Sequence, residues 1–236
     1  MSVSTLRLVT WNCRSGSIAR RLSDLAEHHT DLVFLQECEP TRERLPLVAC
    51  ARTVNSRKAI AVATPSDIWR CRPRPLARGS GRAAIAVDVV APQCFTVLGI
   101  WARGPGYAED VLRTLDAHAN VIRSQPTMLM GDFNSGTKMA GHKTLTRNHQ
   151  SILDRCTELG LASAYHLFNE TGHARELHAT YFHQFKRSSP WHIDFCFVPH
   201  TWRHRIREVV VLDGRKWAKR SDHRPLLIEL DAESES

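Results

Sequence analysis

The 236-residue sequence contains no apolar run near the roughly 18 residues that a membrane-spanning helix requires. It also lacks internal repeats and low-complexity linkers, which excludes repeat arrays and argues against several domains joined by flexible segments. Residues 1–12 contain one basic residue and only a short apolar run, so they do not resemble a secretory signal. We therefore expect a folded protein that does not enter a membrane.

Cysteine is present but follows no ligand or disulfide pattern. The seven cysteines are odd in number, and no two have the C-x-x-C spacing of a zinc site. Most stand beside Val, Leu, Phe or Ile, which is typical of small buried hydrophobic residues. A reducing compartment and a cytoplasmic location are therefore expected.

Lysine is scarce in a chain that is nevertheless basic. The 32 basic residues comprise 26 arginines and six lysines, and the formal net charge is +8 with a pI near 9.4. Arginine matches two phosphate oxygens with one planar group, so a phosphate-rich partner such as nucleic acid is the first interpretation. The second is an arginine-rich proteome in which the excess serves solubility alone. Composition leaves both open.

Apart from its last residues, the chain shows no break in composition. Its length and apolar content of 42% suit one domain, which we place at residues 1–231, followed by a disordered polar tail at residues 232–236. Residues 70–82 are rich in Arg, Pro and Gly and predict an exposed loop or an irregular edge strand. We expect the protein to be a monomer.

Short apolar segments alternate with helical stripes along the chain. Buried strands are predicted at residues 6–11, 31–36, 59–64, 83–90, 95–101, 127–130, 193–198, 206–212 and 225–230. Apolar residues at helical spacing predict helices at residues 18–26, 108–122 and 145–159, with Gly160 as the C-cap of the last. Many strands with few helices indicate an α/β fold in which two packed sheets lie between helices.

Polar residues interrupt or follow these apolar strands at five places. They are Asn12, Glu37, Asp132 with Asn134, Asp194, and Asp222 with His223. A charge buried without a partner costs several kcal/mol, so carboxylates at strand ends face a crevice more often than a core. If the strand ends converge, they form a group of hard oxygen ligands with one imidazole, which suits Mg²⁺ or Mn²⁺ carrying a substrate phosphate.

Each of these segments also has a purely structural interpretation. Residues 131–134 could be a tight turn, and residues 221–223 a polar turn before a strand. Glu37 could cap a helix or pair with an arginine, and Asn12 could simply end a strand. If the structural interpretations were correct, all five segments would place polar groups at strand ends by chance. The functional interpretation is therefore favoured for the five segments together.

The order and spelling of the motifs add a family resemblance. Thr-Trp-Asn at 10–12, Leu-Gln-Glu at 35–37, Gly-Asp-Phe-Asn at 131–134, His-Ile-Asp-Phe at 192–195 and Ser-Asp-His-Arg-Pro at 221–225 occur in that order. Together they resemble the endonuclease/exonuclease/phosphatase family, which includes deoxyribonuclease I and the apurinic-site endonucleases, over residues 6–230. The resemblance implies a four-layer α/β sandwich of two mostly antiparallel β-sheets flanked by helices.

The resemblance also implies a role for each motif residue. It implies one or two Mg²⁺ or Mn²⁺ ions held by Asn12, Glu37 and Asp222. Asp132 would orient or deprotonate the attacking water, and Asn134 would steady that water and the phosphate. His223 would donate to a phosphoryl oxygen, with Asp194 holding its ring. A dication and an imidazolium would stabilise the charge that builds up on the phosphoryl oxygens.

The sequence departs from the family pattern in one place. Many relatives carry a His, or a Tyr with an Asn, after the strand that corresponds to residues 95–100, where it contacts the phosphate. Here the chain reads Gly-Ile-Trp-Ala-Arg at 99–103, and Trp101 cannot accept a proton or make that contact. Arg103 or Tyr107 could compensate as substrate-binding residues. The alternative is that Trp101 lies in the core and Tyr107 begins a helix.

The expected function is that of a metal-dependent DNA nuclease, endo- or exonuclease, in which residues 70–82 and 186–191 contact phosphates. A phosphatase or phosphodiesterase for a small molecule or a lipid headgroup would use the same metal site. A third hypothesis is an arginine-rich nucleic-acid-binding domain without turnover. The presence of every proposed acidic ligand argues against that third hypothesis.

Overall fold

Two six-stranded β-sheets form the centre of the computed structural model, which describes residues 5–41, 43–53, 56–139 and 147–232. The strands are β1 (Thr5–Asn12), β2 (Leu32–Cys38), β3 (Leu47–Arg52), β4 (Ala59–Ala63), β5 (Arg70–Arg74), β6 (Ala84–Ala91), β7 (Phe95–Trp101), β8 (Thr127–Asp132), β9 (Leu161–Ser163), β10 (Tyr181–Phe182), β11 (Pro190–Trp191), β12 (Asp194–Pro199), β13 (Ile206–Val211) and β14 (Leu226–Asp231). The helices are α1 (Ile18–Leu25), α2 (Tyr107–Ala117), α3 (Ala119–Ser124), α4 (His149–Glu158), α5 (Ala164–Phe168) and α6 (Arg215–Ala218). Leu145 of the third predicted helix and residues 233–236 of the predicted tail lie outside the described residues.

The two sheets have the same pattern of parallel and antiparallel strand pairing. The first sheet has the strand order β13-β14-β1-β2-β4-β3, and the second has the order β5-β6-β7-β8-β12-β9. Each contains one parallel pair, β1 with β2 or β7 with β8, and its other neighbouring strands are antiparallel. This arrangement confirms the predicted α/β fold with two mostly antiparallel sheets.

The main hydrophobic core lies between the sheets. Leu8 of β1 and Phe34 of β2 belong to one buried cluster with Val97 of β7 and Met130 of β8. Successive residues of a strand point to opposite faces, so each strand supplies every second side chain to this cluster. Burial of each such side chain contributes about 1.5–3 kcal/mol.

Helices cover the outer faces of both sheets. On the second sheet, Val111 of α2 and Ile152 of α4 are buried with Leu129 of β8. On the first sheet, Ile18 of α1 is buried with Val33 of β2. The result is a four-layer order of helix, sheet, sheet and helix. No described helix has both the length and the apolar character needed to cross a lipid bilayer.

The helix predicted at residues 108–122 is in fact two helices. α2 ends at Ala117 and α3 begins at Ala119, because His118 between them adopts φ −106° and ψ 9°. The Nδ1 of His118 donates to the carbonyl oxygen of Thr114 at 2.9 Å, and its Nε2 accepts the backbone N–H of Ala77 at 3.2 Å. The break therefore serves a long-range contact that the local apolar periodicity does not encode.

Residues 70–82 begin with an edge strand of the second sheet. The pairing of β5 with β6 shifts register between Arg70 and Cys71, as the prediction of an irregular edge strand requires. Arg72 and Arg74 both reach the carboxylate of Asp88 on β6, at 3.4 and 3.2 Å. These charges protect the sheet edge against pairing with another chain.

Gly131 allows β8 to end in the conformation that carries Asp132. Its φ is 145°, and a Cβ at this position would lie 1.9 Å from the carbonyl oxygen of Ile100. We expect Gly131→Ala to lower the free energy of unfolding by at least about 2 kcal/mol. Gly172→Ala is the matched control, because a Cβ there meets nothing within 4 Å. Urea unfolding compares the two variants, and equal midpoints would contradict this account.

Candidate active site

The polar residues that follow the strands come together at one end of the sandwich. Asn12 ends β1 and Glu37 lies near the end of β2, and these two strands run parallel, so both residues reach the same edge of the first sheet. Asp132 ends β8 of the second sheet and pairs directly with Asp194 at the start of β12. His223 lies in the segment that leads into β14. Residues from both sheets therefore build one site.

The side-chain amide of Asn12 joins the two sheets. Its Nδ2 donates to Glu37 Oε1 at 3.1 Å and to Asp132 Oδ2 at 2.8 Å. Ser221 fixes the neighbouring segment, because its Oγ donates to the carbonyl oxygen of Asn12 at 2.8 Å and accepts the backbone N–H of His223 at 3.0 Å. This network sets the distance between the carboxylates and the imidazole.

Residues 131–134 form both a turn and a part of the site. Asn134 has a left-handed φ of 47°, and its backbone N–H donates to Asp132 Oδ1 at 2.8 Å. The Nδ2 of Asn134 donates to Asp132 Oδ2 and to the carbonyl oxygen of Ala102, each at 3.0 Å. The turn orients the Asp132 carboxylate, so the turn interpretation and the functional interpretation of these residues do not exclude each other.

His223 and Asp194 form a buried pair next to Asp132. The Nδ1 of His223 donates to Asp194 Oδ2 at 2.9 Å, and each of Asp132, Asp194 and His223 offers one polar atom within 4.8 Å of the other two. Thr180 Oγ accepts the backbone N–H of Asp194 at 3.0 Å, and the ring of Tyr181 lies 4.5 Å from that of His223. The histidine Nε2 is thus left as the group that can donate to a ligand.

Burial and mutual charge shift the titration of this group. Burial raises the pKa of Asp132 to about 7, with Asp194 adding to the rise and His223 and Asn12 opposing it. Burial lowers the pKa of His223, but the Asp194 and Asp132 carboxylates outweigh burial and raise that pKa to about 9. Near neutral pH, the site therefore pairs an imidazolium with a carboxyl group that readily gains or loses a proton.

Glu37 and Asp222 lie at the more open side of the site. Glu37 is half-buried with a left-handed φ of 57°, and its Oε2 forms an ion pair with Lys58 Nζ. Asp222 Oδ2 lies 3.5 Å from Arg14 Nη1. Each of these carboxylates thus has a cation beside it, and both retain exposure that the Asp132 and Asp194 carboxylates lack.

Sequence reasoning missed Lys58, Arg14 and Tyr181. Lys58 reaches Glu37 because β4 pairs with β2 through Cys38 and Ala59, a register that no local motif reveals. Tyr181 reaches His223 through an isolated backbone bridge between the two residues. Only Arg14 could have been recognised from the sequence, because it stands two residues after Asn12. In the structure its backbone N–H donates to Asn12 Oδ1 at 2.9 Å.

Arg103 and Tyr107, the predicted substrate-binding residues, follow β7, whose last residue Trp101 pairs with Asp132. Trp101 is buried, and the guanidinium of Arg103 stacks on its ring at 4.6 Å. The backbone N–H of Arg103 donates to Asp110 Oδ2 at 3.0 Å. Tyr107 begins α2 and is partly exposed, as the structural alternative predicted. Among the described contacts, none joins Arg103 or Tyr107 to Asp132 or His223, so a role for either residue in substrate binding stays a prediction.

The donor chemistry of the site suits a hard divalent cation. Glu37, Asn12 and Asp132 supply neighbouring carboxylate and amide groups, and Mg²⁺ and Mn²⁺ prefer oxygen ligands. Asp194 Oδ1 is buried with no hydrogen-bond partner within the described residues. Asp194 Oδ2 already accepts a hydrogen bond from the cationic imidazole of His223. A second cation is therefore better held by the residues on the side of Glu37, away from this imidazole.

Comparison with protein families establishes the relationship of this chain. Residues 9–223 match the model of the Endonuclease/Exonuclease/phosphatase family. The chain belongs to this family. Members of the endonuclease/exonuclease/phosphatase family are hydrolases that act on phosphoester bonds, and the family includes nucleases. A comparison with curated protein sequences gives no significant match.

Solved structures with the endonuclease/exonuclease/phosphatase fold match nearly the whole chain. The endonuclease domain of TRAS1, a telomere-specific non-LTR retrotransposon, has a TM-score of 0.72 at 14% identity and covers 96% of this chain and 98% of its own. The AP endonuclease LMAP from Leishmania major has a TM-score of 0.69 at 12% identity, with coverages of 98% and 89%. The 3'-5' exonuclease NExo from Neisseria meningitidis has a TM-score of 0.66 at 18% identity, with coverages of 96% and 100%. At these identities the likeness establishes the fold.

Proposed function

We propose that this protein is a nuclease that hydrolyses phosphodiester bonds of DNA with the aid of Mg²⁺ or Mn²⁺. The observation that carries the proposal is the link between two groups of residues at one end of the sandwich. Asn12 joins Glu37 to Asp132, and the His223–Asp194 pair lies within 4.8 Å of Asp132. Residues that can hold a cation thus lie directly beside an imidazole that can donate a hydrogen bond to a phosphoryl oxygen.

Each residue of the site has its own role in an in-line attack on phosphorus. Glu37, Asn12 and Asp222 would hold the cation, which when bound supplies positive charge to the phosphoryl oxygens. Asp132 orients the attacking water and is placed to take its proton, and Asn134 holds the Asp132 carboxylate in position. His223 donates from Nε2 to a phosphoryl oxygen, while Asp194 fixes its tautomer through Nδ1.

A nucleic acid is the substrate class that the rim of the site favours. The guanidinium of Arg14 lies 4.5 Å from the ring centroid of Phe185, and 48% of the Phe185 surface is exposed. Phe185 lies between β10 and β11, in the same hairpin as residues 186–191, which we predicted to contact phosphates. An exposed aromatic ring beside a basic group suits a base and its phosphate. Together with the net charge of +8, this supports DNA over the phosphate ester of a small molecule.

The cysteines support a reducing compartment, and we extend the proposal to a cytoplasmic location. All seven are free, and Cys13, Cys38, Cys156 and Cys196 are buried. Burial raises the pKa of Cys13 to about 12, and it also raises that of Cys196. Such thiols are unreactive and serve packing, as the sequence predicted.

Cleavage of end-labelled nucleic acids tests the proposal. We expect the purified protein to cut double-stranded DNA, with and without an abasic site, in Mg²⁺ or Mn²⁺ and not in excess EDTA. The panel includes single-stranded DNA and RNA, which define the preferred form, and Asp132→Asn purified in parallel, which reports any contaminating nuclease. Turnover of an inositol phosphate or a nucleotide without any cleavage of DNA would contradict it and select the phosphatase alternative. No turnover and no stabilisation by Mg²⁺ would indicate a binding domain instead.

A further inference from the structure

A second group of potential metal ligands lies on the opposite side of β12 from the catalytic carboxylates. We call His166, His173 and Glu176 the histidine cluster. His166 belongs to α5, and the other two lie in residues 169–180, a described segment without helix or strand. The cluster packs near Phe195, whose ring lies 6.4 Å from that of His166. Phe195 follows Asp194 on β12, and successive strand residues point to opposite faces. The cluster is therefore separate from the proposed nuclease site.

The three side chains present their ligand atoms to one another. One ligand atom of each lies within 4.8 Å of the other two, and the rings of His166 and His173 are stacked at 3.6 Å between centroids. His166 Nε2 lies 3.4 Å from Glu176 Oε1. Nitrogen and oxygen ligands of a tetrahedral zinc ion lie roughly 3.3 Å apart, given bonds of about 2.0–2.2 Å. Because the in-plane lone pairs of stacked rings do not converge, zinc binding requires the His173 ring to turn out of the stack as the ligand atoms approach this spacing.

Neighbouring groups hold the ligands in orientations that suit a metal. The Nδ1 of His166 lies 2.8 Å from Ser163 Oγ and can donate a hydrogen bond to it, which leaves the lone pair on Nε2. The Glu176 carboxylate accepts the backbone N–H of Ala174 at 2.8 Å and lies 3.3 Å from Lys138 Nζ. Metal-binding histidines and carboxylates characteristically have such outer partners.

Two buried ring nitrogens near His166 lack a hydrogen bond. His173 Nδ1 and His192 Nε2 are buried, and neither has a hydrogen-bond partner within the described residues. His192 is 7% exposed, its Nδ1 donates to the carbonyl oxygen of His178 at 2.8 Å, and its ring lies 6.0 Å from that of His166. Because Nδ1 carries the proton, Nε2 of His192 offers a free lone pair. An unpaired polar atom in the interior costs about 1–3 kcal/mol, and a coordinate bond is one way to satisfy it.

We propose that the histidine cluster binds one divalent transition-metal ion, for which zinc is the best match. Two imidazoles and one carboxylate are zinc ligands, whereas Mg²⁺ and Ca²⁺ prefer oxygen ligands alone. The ion fixes residues 169–180 to α5. At the end of that segment, Thr180 Oγ accepts the backbone N–H groups of Ile193 and Asp194, each at 3.0 Å. The metal thus supports the backbone that positions Asp194.

Zinc titration of the full-length, EDTA-treated protein tests the proposal. We expect isothermal titration calorimetry to show a zinc ion bound to the wild-type protein, with a rise in the thermal unfolding midpoint. His173→Gln and Glu176→Gln should each weaken this binding by at least about 10-fold. Co²⁺ in place of zinc should give the visible absorption of a tetrahedral nitrogen and oxygen site, and this absorption should be lost in both variants.

Two controls separate this cluster from other sites. His204→Gln removes an exposed histidine elsewhere and should bind zinc as the wild type does. Asp194→Asn alters the proposed nuclease site and should keep the Co²⁺ absorption, so the two proposals can fail separately. Circular dichroism verifies that each variant is folded. Absence of zinc binding to the wild-type protein, or equal affinity in folded His173→Gln and Glu176→Gln, would overturn the proposal.

Discussion

Asp132→Asn is expected to lower the rate of DNA cleavage by about 10²–10⁴-fold, the usual contribution of a positioned acid–base group. The substitution keeps the size of the side chain and removes its ability to take a proton from water, but it also turns an NH₂ group toward one of the N–H donors that the carboxylate accepts. Because burial raises the pKa of Asp132, the buried charge is itself unfavourable, and its removal offsets part of this loss. We therefore expect a folded variant with a modest fall in the thermal unfolding midpoint.

Single-turnover cleavage of end-labelled DNA at saturating Mg²⁺ measures this effect. The matched control is Asp154→Asn, which makes the same chemical change on the exposed surface of α4 and should leave the rate unchanged. A folded Asp132→Asn protein that cleaves as fast as the wild type would remove Asp132 from the proposed mechanism.

The second large effect is expected for His223 and Asp194, which should act as one unit. His223→Ala should lower the cleavage rate by about 10²–10³-fold, as is typical when one donor to a developing oxyanion is removed. Asp194→Asn should also slow cleavage, because it removes the carboxylate that accepts from His223 Nδ1. The double variant should be no slower than His223→Ala, since Asp194 has nothing to orient once the imidazole is gone. Effects that multiply in the double variant would show that Asp194 acts independently of the histidine.

The ionisation of His223 provides a readout that a general loss of structure would not reproduce. The pKa of His223 is about 9 in the folded protein, above its ordinary value of 6.5. The resulting stabilisation is complete below pH 6.5 and is lost as the pH rises through about 9. In metal-free Asp194→Asn, the pKa of His223 should fall and this part of the alkaline loss of stability should shrink. Nuclear magnetic resonance titration and urea unfolding at several pH values measure both changes.

The sequence indicates which polar residues come together better than it indicates the contacts around them. Asn12 and Asp132 are recognisable because each ends an apolar strand, and Asp194 because it stands among apolar residues where a strand begins, a local pattern that needs no knowledge of the fold. Strand β3 was not predicted, because its residues are half-exposed and show no clean alternation. Ion pairs such as Lys58 with Glu37 depend on the register of distant strands, and that register is decided by packing over the whole sheet.

The histidine cluster was not predicted for a related reason. His166 and His173 are seven positions apart and Glu176 follows three positions later, a spacing with no regular strand or helix to connect it. Their proximity depends on the path of residues 169–180 across the outer face of the second sheet. His192 stands two positions before Asp194 in the sequence, and its burial near His166 follows only from the fold.

Asn12 links residues of the two sheets, and this link has a consequence for fragments of the polypeptide. The first sheet contributes Asn12 and Glu37, while the second contributes Asp132 and Asp194, and His223 comes from near the end of the chain. Neither half of the polypeptide, produced alone, contains the groups needed to hold a phosphate and activate water. Fragments could regain cleavage only by reassembling the interface between the sheets, so turnover by split halves would report directly on that assembly.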